Sequence, residues 1–299
     1  MSDSVGRNEN TGIGANGGAL SGRVWFITGC SSGFGRAIAE AALSRGDTVV
    51  ATARRQEALS DLVEGAPEGK AHTLALDVTD PEQVSRAVDE AIRRTGQIDV
   101  LVNNAGYGSV GAVEEFTMEE LRAQFETMFF GAVELTRAVL SLMRERRSGA
   151  IVQMSSMGGQ LAFPGFGSYC AAKFALEGLS EALAGEVAPF GVKVLIVEPG
   201  AFRTGFGGTR MRRSREIEAY NASVGGTREL VKNMDQTQPG DPRKAAEAIL
   251  LALDAEETPL RLPLGADAVE NIRDKLDSVR AEMDRWEAVS LDTALDPVR

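Results

Sequence analysis

The sequence predicts an α/β fold: a single-domain, doubly wound parallel sheet of the Rossmann type with helices on both faces. Three observations carry this. Short, continuously apolar runs alternate along the chain with segments of helical spacing, the pattern of strands covered on both faces. A Gly-rich turn joins the first of these strands to the first helix. No linker interrupts the pattern between about residues 22 and 290, so the two domains suggested by 299 residues become one.

Residues 1–21 are rich in Gly, Asn and Ser, show no periodicity and read as a disordered tail; residues 22–299 read as the folded domain. Val24–Thr28 is a short apolar, β-rich run and makes the first strand. Arg36–Gly46 has helical spacing and ends on a Gly stop signal. Thr48–Ala53 is the second strand, Gln56–Val63 a helical stretch and His72–Leu76 the third strand. Asp80-Pro81 supplies an N-cap with Pro at the first position and opens a helix to about Thr95. Ile98–Val102 is the fourth strand. Thr117-Met118-Glu119-Glu120 has the form of a capping box and opens a long helix, continuous or broken, to about Arg146. Ala150–Ser155 is the fifth strand, Tyr169–Val187 the next helix and Val192–Glu198 the sixth strand, stopped by Pro199-Gly200. Ala201–Gly240 loses periodicity and carries a basic run, Arg210-Met211-Arg212-Arg213. Asp241-Pro242 again caps a helix, to about Leu253; Leu260–Pro263 suits a short last strand, and Gly265 to about Ala288 an amphipathic helix.

Composition removes several classes of function. The 32 Lys+Arg and 43 Asp+Glu give a formal charge of −11, unsuited to a nucleic acid or an anionic membrane surface. No run approaches the roughly 18 apolar residues of a membrane span, and the N-terminus lacks an apolar signal core. Two cysteines, Cys30 and Cys170, are too few for a disulfide framework, which points to a reducing, cytoplasmic location. They read as small packed residues. With His72 the only histidine, histidine-based catalysis and zinc sites are disfavoured, and no metal site is expected. His72 itself reads as a strand-edge surface residue.

Chemistry first appears at the turn Thr28-Gly29-Cys30-Ser31-Ser32-Gly33-Phe34-Gly35. Glycine lets the backbone turn tightly there and approach a ligand, and the following helix N-terminus suits a pyrophosphate. The spacing is T-G-x-x-x-G-x-G. Asp77 follows the third strand, Asn103-Asn104-Ala105-Gly106 the fourth and Ser155-Ser156 the fifth. Tyr169-Cys170-Ala171-Ala172-Lys173 opens the next helix, and Pro199-Gly200 follows the sixth strand. With these motifs in this order, the chain resembles the short-chain dehydrogenase/reductase family over about residues 22–290. Thr-Gly-Cys-Ser-Ser-Gly and Glu-Pro-Gly-Ala-Phe-Arg-Thr further resemble its steroid and retinol dehydrogenase branch.

Tyr169 and Lys173 are four apart, so on a helix they share a face. A free tyrosine, with a pKa of about 10, exchanges its proton poorly at neutral pH; a nearby ammonium lowers that value. The pair is therefore expected to form a tuned acid/base without histidine. The hydroxyl of Ser156, at a strand end, could hold a carbonyl or alkoxide oxygen. The resemblance assigns roles: Tyr169 as general acid in carbonyl reduction, Lys173 lowering its pKa and holding the nicotinamide ribose, Ser156 positioning the substrate oxygen. The implied activity is hydride transfer between NADP(H) and a carbonyl/alcohol pair, as in a ketoreductase.

One position departs from the family. Glu126-Thr127-Met128-Phe129-Phe130-Gly131 puts Met128 where the family places an Asn that holds a water in a proton relay. A thioether is at best a weak acceptor and cannot donate. Three readings stay open: a tolerated variant whose Lys reaches solvent by another route, an impaired NADP-binding regulatory protein, or a repurposed site such as an NADP-assisted epimerase.

Cofactor choice rests on the end of the second strand. Ala53-Arg54-Arg55 offers no acid for a ribose 2′-OH, and Arg54 can pair bidentately with a 2′-phosphate, so NADP(H) is expected. By resemblance, Gly29, Ser31, Ser32, Gly33, Phe34 and Gly35 form the pyrophosphate turn. Asp77 and Val78 would flank the adenine, and Asn103, Ala105 and Gly106 would lie along the adenosine ribose. Tyr169, Lys173, Pro199, Gly200 and Thr204 would meet the nicotinamide end. Residues 201–240 correspond to a substrate lid, with Phe202, Phe206 and Tyr220 suited to an apolar carbonyl and its arginines expected to be a solvated charge run. Phe163 and Phe166 are candidates for another wall. The family also implies a homo-oligomer, a dimer or tetramer.

Overall fold

Val24–Ile27 (β1) is buried at every position and lies inside a seven-stranded sheet. The computed structural model describes residues 22–206, 208 and 210–295; the tail expected over residues 1–21 lies outside them. After β1 come Gly33–Ser44 (α1), Thr48–Ala53 (β2), Ser60–Glu64 (α2), Ala71–Ala75 (β3), Pro81–Thr95 (α3) and Val100–Asn103 (β4). Gly108–Val110 (β5), Met118–Phe125 (α4), Gly131–Arg146 (α5), Gly149–Met154 (β6), Gly167–Val187 (α6) and Val192–Pro199 (β7) follow. Met211–Arg213 (β8), Asn221–Asn233 (α7), Pro242–Asp254 (α8), Arg261–Leu264 (β9) and Ala266–Leu291 (α9) complete the described chain. The large sheet runs β3-β2-β1-β4-β6-β7-β9, parallel throughout. It is the doubly wound order that the alternating pattern predicts.

Period-2 alternation sends Trp25 and Ile27 to one face of β1 and Phe26 to the other. The first face packs with Ile38 and Ala42 of α1 and Ile249 and Leu250 of α8. The second packs with Val84 and Val88 of α3, Leu135 and Val139 of α5, and Leu183 and Val187 of α6. Helix starts follow the caps read in the sequence. Asp80 Oδ1 accepts from the amides of Glu82 and Gln83 at 3.0 Å each. Thr117 and Glu120 exchange hydrogen bonds at 3.1 and 2.8 Å, and Asp241 Oδ1 accepts from the Arg243 amide at 2.9 Å. α1 begins three residues earlier than its apolar spacing suggested, because its first turn is the Gly-rich loop itself.

The long central helix is broken. Glu126–Phe130 forms one π-helical turn between α4 and α5, closed by the Gly131 amide donating to Glu126 O. The segment 201–240 holds more structure than its sequence suggested. β5 and β8 pair in parallel as a separate two-stranded sheet, and α7 follows. A buried latch ties this lid down: the Glu115 carboxylate accepts from the amides of Ala112 and Ile217 at 2.6 and 2.7 Å and from the Arg228 guanidinium. Burial pushes the Glu115 carboxyl up, but these donors outweigh it and hold it below the ordinary range. Among the described residues no helix is long and apolar enough to cross a membrane.

Candidate active site

The strand order reverses between β1 and β4, and the crevice at their C-terminal ends is the expected ligand position of such a sheet. Thr28 fixes it. Its hydroxyl donates to Val102 O at 3.3 Å and accepts from the amides of Asn104 and Ala105 at 2.9 Å each. The loop above it needs glycine for two reasons. Gly29 sits at φ +72°, and a Cβ on Gly35 would lie 2.7 Å from Gly29 O and 2.5 Å from Asn104 Nδ2. Ser32 is the extended N-cap of α1, and Gly33, at φ +64°, packs against Thr204. The first-turn N–H groups of α1 therefore open on the crevice beside Ser31.

Two cavities meet in this crevice. The first, of about 640 Å³, is lined by Gly29, Ser31, Arg54, Asp77, Val78 and Ala105. The second, of about 540 Å³, is lined by Phe34, Ser156, Tyr169, Lys173, Pro199 and Gly200, with Thr204 at its edge. Asn104, Gly106, Tyr107 and Arg210 line both, so the two form one elongated cleft. Asn103 does not face it. Strand alternation turns its side chain into the core, where Nδ2 donates to Ala132 O, Thr136 Oγ1 and Gln153 Oε1 at 3.0–3.2 Å. The next residue, Asn104, takes the cleft face and donates to Thr28 O at 2.7 Å.

The basic run is a second departure. Arg210 is half-buried rather than solvated, while Arg212 is exposed as expected but held on a ring. β8 pairs with β5 and carries Arg212 onto Tyr107, with its guanidinium carbon 3.9 Å from the ring centroid and NH1 3.1 Å from the phenol oxygen. Arg210 reaches Ser31 Oγ at 3.3 Å, and burial together with the charge of Arg54 pushes its guanidinium down. Three arginines thus line the first cavity. No local pattern signals this, because the pairing joins positions about a hundred residues apart. Left-handed glycines, a free helix N-terminus and arginines along a double cavity fit an elongated bis-anion such as a dinucleotide.

In the second cavity Tyr169 opens toward Ser156 from the first turns of α6. Its ring packs edge-on to Phe206 and Phe166, with centroids 5.2 and 6.4 Å away. Ser156 Oγ accepts from the Gly158 amide at 3.0 Å and sits 3.4 Å from Pro199 O. Lys173 is buried, with Nζ donating to Met154 O at 2.6 Å and lying 5.8 Å from the Tyr169 ring centroid. The tyrosine is not held low here. Burial pushes its phenol above the ordinary value, and the Ser156 hydroxyl opposes this only in part. Burial also pushes the Lys173 ammonium down to about 7, against the pull of Glu177. Its amine is turned to a backbone carbonyl, so in this state desolvation outweighs the ammonium effect expected from spacing alone. Cys30 is inert: burial pushes its thiol up to about 12, and Sγ contacts Ile27 O at 3.2 Å.

Met128 sits in the π turn, buried, with Gln124 Nε2 against its sulfur and donating to Tyr107 O at 2.9 Å. It walls a small cavity beside Lys173. Met128→Asn is expected to leave turnover across pH essentially unchanged in the otherwise intact protein. A large gain would show that this position limits proton supply.

Comparison with known proteins agrees with this geometry. Residues 23–215 match the family model described as short chain dehydrogenase. The chain is 42% identical over 272 residues to the oxidoreductase BOA17 of Botryotinia fuckeliana, covering 91% of this chain and 99% of that one. It is 40% identical over 246 residues to a 3-ketodihydrosphingosine reductase of Bacteroides thetaiotaomicron, covering 81% and 88% of the two chains. A crystal structure of a short-chain dehydrogenase from Streptomyces avermitilis superposes with TM-score 0.86 at 58% identity, covering 91% of this chain and all of that one. The parallel sheet, the Gly-rich turn and these relatives together make the chain an oxidoreductase of the short-chain dehydrogenase/reductase family.

Proposed function

We propose that the protein transfers a hydride between NADP(H) and a carbonyl/alcohol pair, with Tyr169 as the general acid of carbonyl reduction. The observation that carries this reading is the convergence of Ser156, Tyr169 and Lys173 on a cavity continuous with the arginine-lined cleft. The reduced nicotinamide, when bound, supplies the hydride. Ser156 holds the carbonyl oxygen and Tyr169 protonates it. Lys173 keeps positive charge near the phenol and returns a proton to it. Phe163, Phe166, Phe206, Leu230 and Met234 line the substrate side, which suits a ketone with an apolar body or tail. The relative named as a ketone reductase supports the same class.

NADP(H) is favoured over NAD(H) because Arg54 stands in the first cavity with Arg210 and Arg212. Arg54→Asp should weaken NADPH binding by about 10- to 100-fold, the worth of charge-assisted hydrogen bonds to a phosphate. NADH binding should change little. Fluorescence titration of both cofactors checks this, and equal losses would refute the 2′-phosphate assignment. The protein is proposed to be cytoplasmic, since both cysteines are unpaired and buried. It is proposed to self-associate, a reading supported by the exposed Phe130 beside the central helix.

A further inference from the structure

Lys173 is only 5% exposed, so any proton it gives up must be replaced through the protein. One side of it is mostly apolar. The small cavity there is walled by Val78, Ala105, Met128, Ala132 and Leu135. Thr127, whose hydroxyl donates to Ala123 O, joins it to the first cavity, and Asn103 Oδ1 is without a partner; the other polar groups are committed. The Thr28 hydroxyl serves Val102 O and two amides, and Asn103 Nδ2 serves three core acceptors.

The other side is built differently. Ser155 follows Met154, whose carbonyl holds Lys173 Nζ, and its buried hydroxyl has no partner. Glu177 stands one helical turn beyond Lys173 on the same face of α6, 4% exposed, and its Oε1 is also without a partner. The two orphan oxygens lie 2.5 and 3.0 Å from the point a Cβ on Gly159 would occupy, close enough for one water to join them. The other carboxylate oxygen of Glu177 accepts from Gln160 Nε2 and Arg261 Nε, both at 3.2 Å. Gln160 and Arg261 also reach Glu198 at 3.0 and 3.4 Å, and Arg261 continues to the exposed Glu181 at 2.9 Å. The polar file thus runs from Ser155 and Glu177, beside the segment that holds the amine, to the half-exposed Arg261 at the protein surface.

We propose that Ser155, Glu177 and Glu198 are the proton supply of Lys173, taking the place of a route past residue 128. This rests on the oxidoreductase reading. In reduction, the Tyr169 O–H bond breaks as the O–H bond of the product alcohol forms. The phenolate then takes a proton from the Lys173 ammonium. The neutral amine is recharged from the Glu198 carboxyl, the proton crossing the Glu177 carboxylate, an intervening water and the Ser155 hydroxyl. Glu198 recovers its proton from solvent water beside the half-exposed Arg261, whose guanidinium stays charged. The charged groups facing Glu177 are Lys173 and Glu181 on α6, Glu198 on β7 and Arg261 on β9. Burial, and then the charge of Glu177, push the Glu198 carboxyl well above the carboxylate range, while Lys173 is pushed down to about 7. Proton affinities brought together in this way let a proton move along the file near neutral pH. Glu177 and Glu198 act through Lys173 and are positioning residues.

The test is steady-state NADPH oxidation with a ketone that the parent reduces, from about pH 6 to about pH 9. Glu177→Gln and, independently, Ser155→Ala should lower kcat by at least about tenfold, with ketone KM and NADPH affinity unchanged. The deficit should grow as pH rises, and the solvent deuterium effect on kcat should increase. Adding Met128→Asn to Glu177→Gln should restore part of kcat by placing a polar group on the apolar side. Parent-like kcat and pH profile in both single variants would overturn the route and leave the oxidoreductase reading standing. A parent that oxidises NADPH with no carbonyl would overturn both.

Discussion

Tyr169→Phe is expected to lower kcat for carbonyl reduction by about 10²- to 10⁴-fold, the range of a lost general acid. The ring is retained, so its edge contacts with Phe166 and Phe206 survive and the cavity keeps its shape. NADPH affinity should therefore change little. The loss should fall on kcat and on kcat/KM alike, the signature of an interaction made in the transition state. Ser156 cannot take over the proton. An aliphatic hydroxyl is a far weaker acid than a phenol, and the Ser156 O–H is turned to Pro199 O at 3.4 Å; the Lys173 amine is directed to Met154 O. Steady-state kinetics with titrated NADPH checks this; a variant keeping a tenth or more of parental kcat would remove Tyr169 from the acid role.

Asp47→Ala should be the most destabilising single change outside the cleft. Asp47 is fully buried before β2 and accepts three hydrogen bonds: from the amides of Gly22 and Arg23 at 2.9 and 3.1 Å, and from Trp25 Nε1 at 2.8 Å. Removing the carboxylate strands these donors, including a fully buried indole N–H at the start of β1. The expected cost is about 3–5 kcal/mol, since each buried donor left unsatisfied costs about 1–3 kcal/mol. That corresponds to a fall in Tm of about 10 °C for a chain of this size. Asp47→Asn retains an acceptor oxygen and should lose less. Calorimetry measures both, and an unchanged Tm for Asp47→Ala would mean that the β1 edge repacks without cost.

The sheet was legible because its central strands β1, β4 and β7 are buried nearly throughout and read as continuous apolar runs. Asp80, Thr117 and Asp241 announced helix starts through local chemistry that does not depend on the rest of the fold. What stayed hidden was structure made by distant partners. Gly108–Val110 and Met211–Arg213 are three-residue strands with no apolar signature, and only their mutual pairing defines them. α7 carries Gly225 and Gly226 in its middle, which weakens helical propensity; burial of Val224 and Val231, two turns apart, outweighs it. The same distance hid the site role of Arg210 and Arg212, which reach the cleft only because the lid closes over Tyr107.

Within the site, spacing identified Tyr169 and Lys173 as one helix face but could not show their desolvation. Two buried neighbours raise and lower each other's proton affinities according to where each polar end points, and Lys173 points at a carbonyl. Asn103 and Asn104 show the same limit: the motif is plain, and only strand phase decides which amide faces the cleft. Glu177 and Glu198 carried no sequence signal beyond being acids in otherwise apolar runs. That was itself the clue, since a charge inside a buried strand or helix face needs partners.

The proposed NADP(H)-dependent carbonyl chemistry at Tyr169 is tested most directly by following reduced nicotinamide absorbance with NADPH or NADH against a panel of ketones, aldehydes and quinones. Carbonyl-dependent oxidation of NADPH is expected, faster than that of NADH, best with apolar ketones and abolished in Tyr169→Phe. Tight NADPH binding with no oxidation by any carbonyl, or oxidation that persists in Tyr169→Phe, would contradict it.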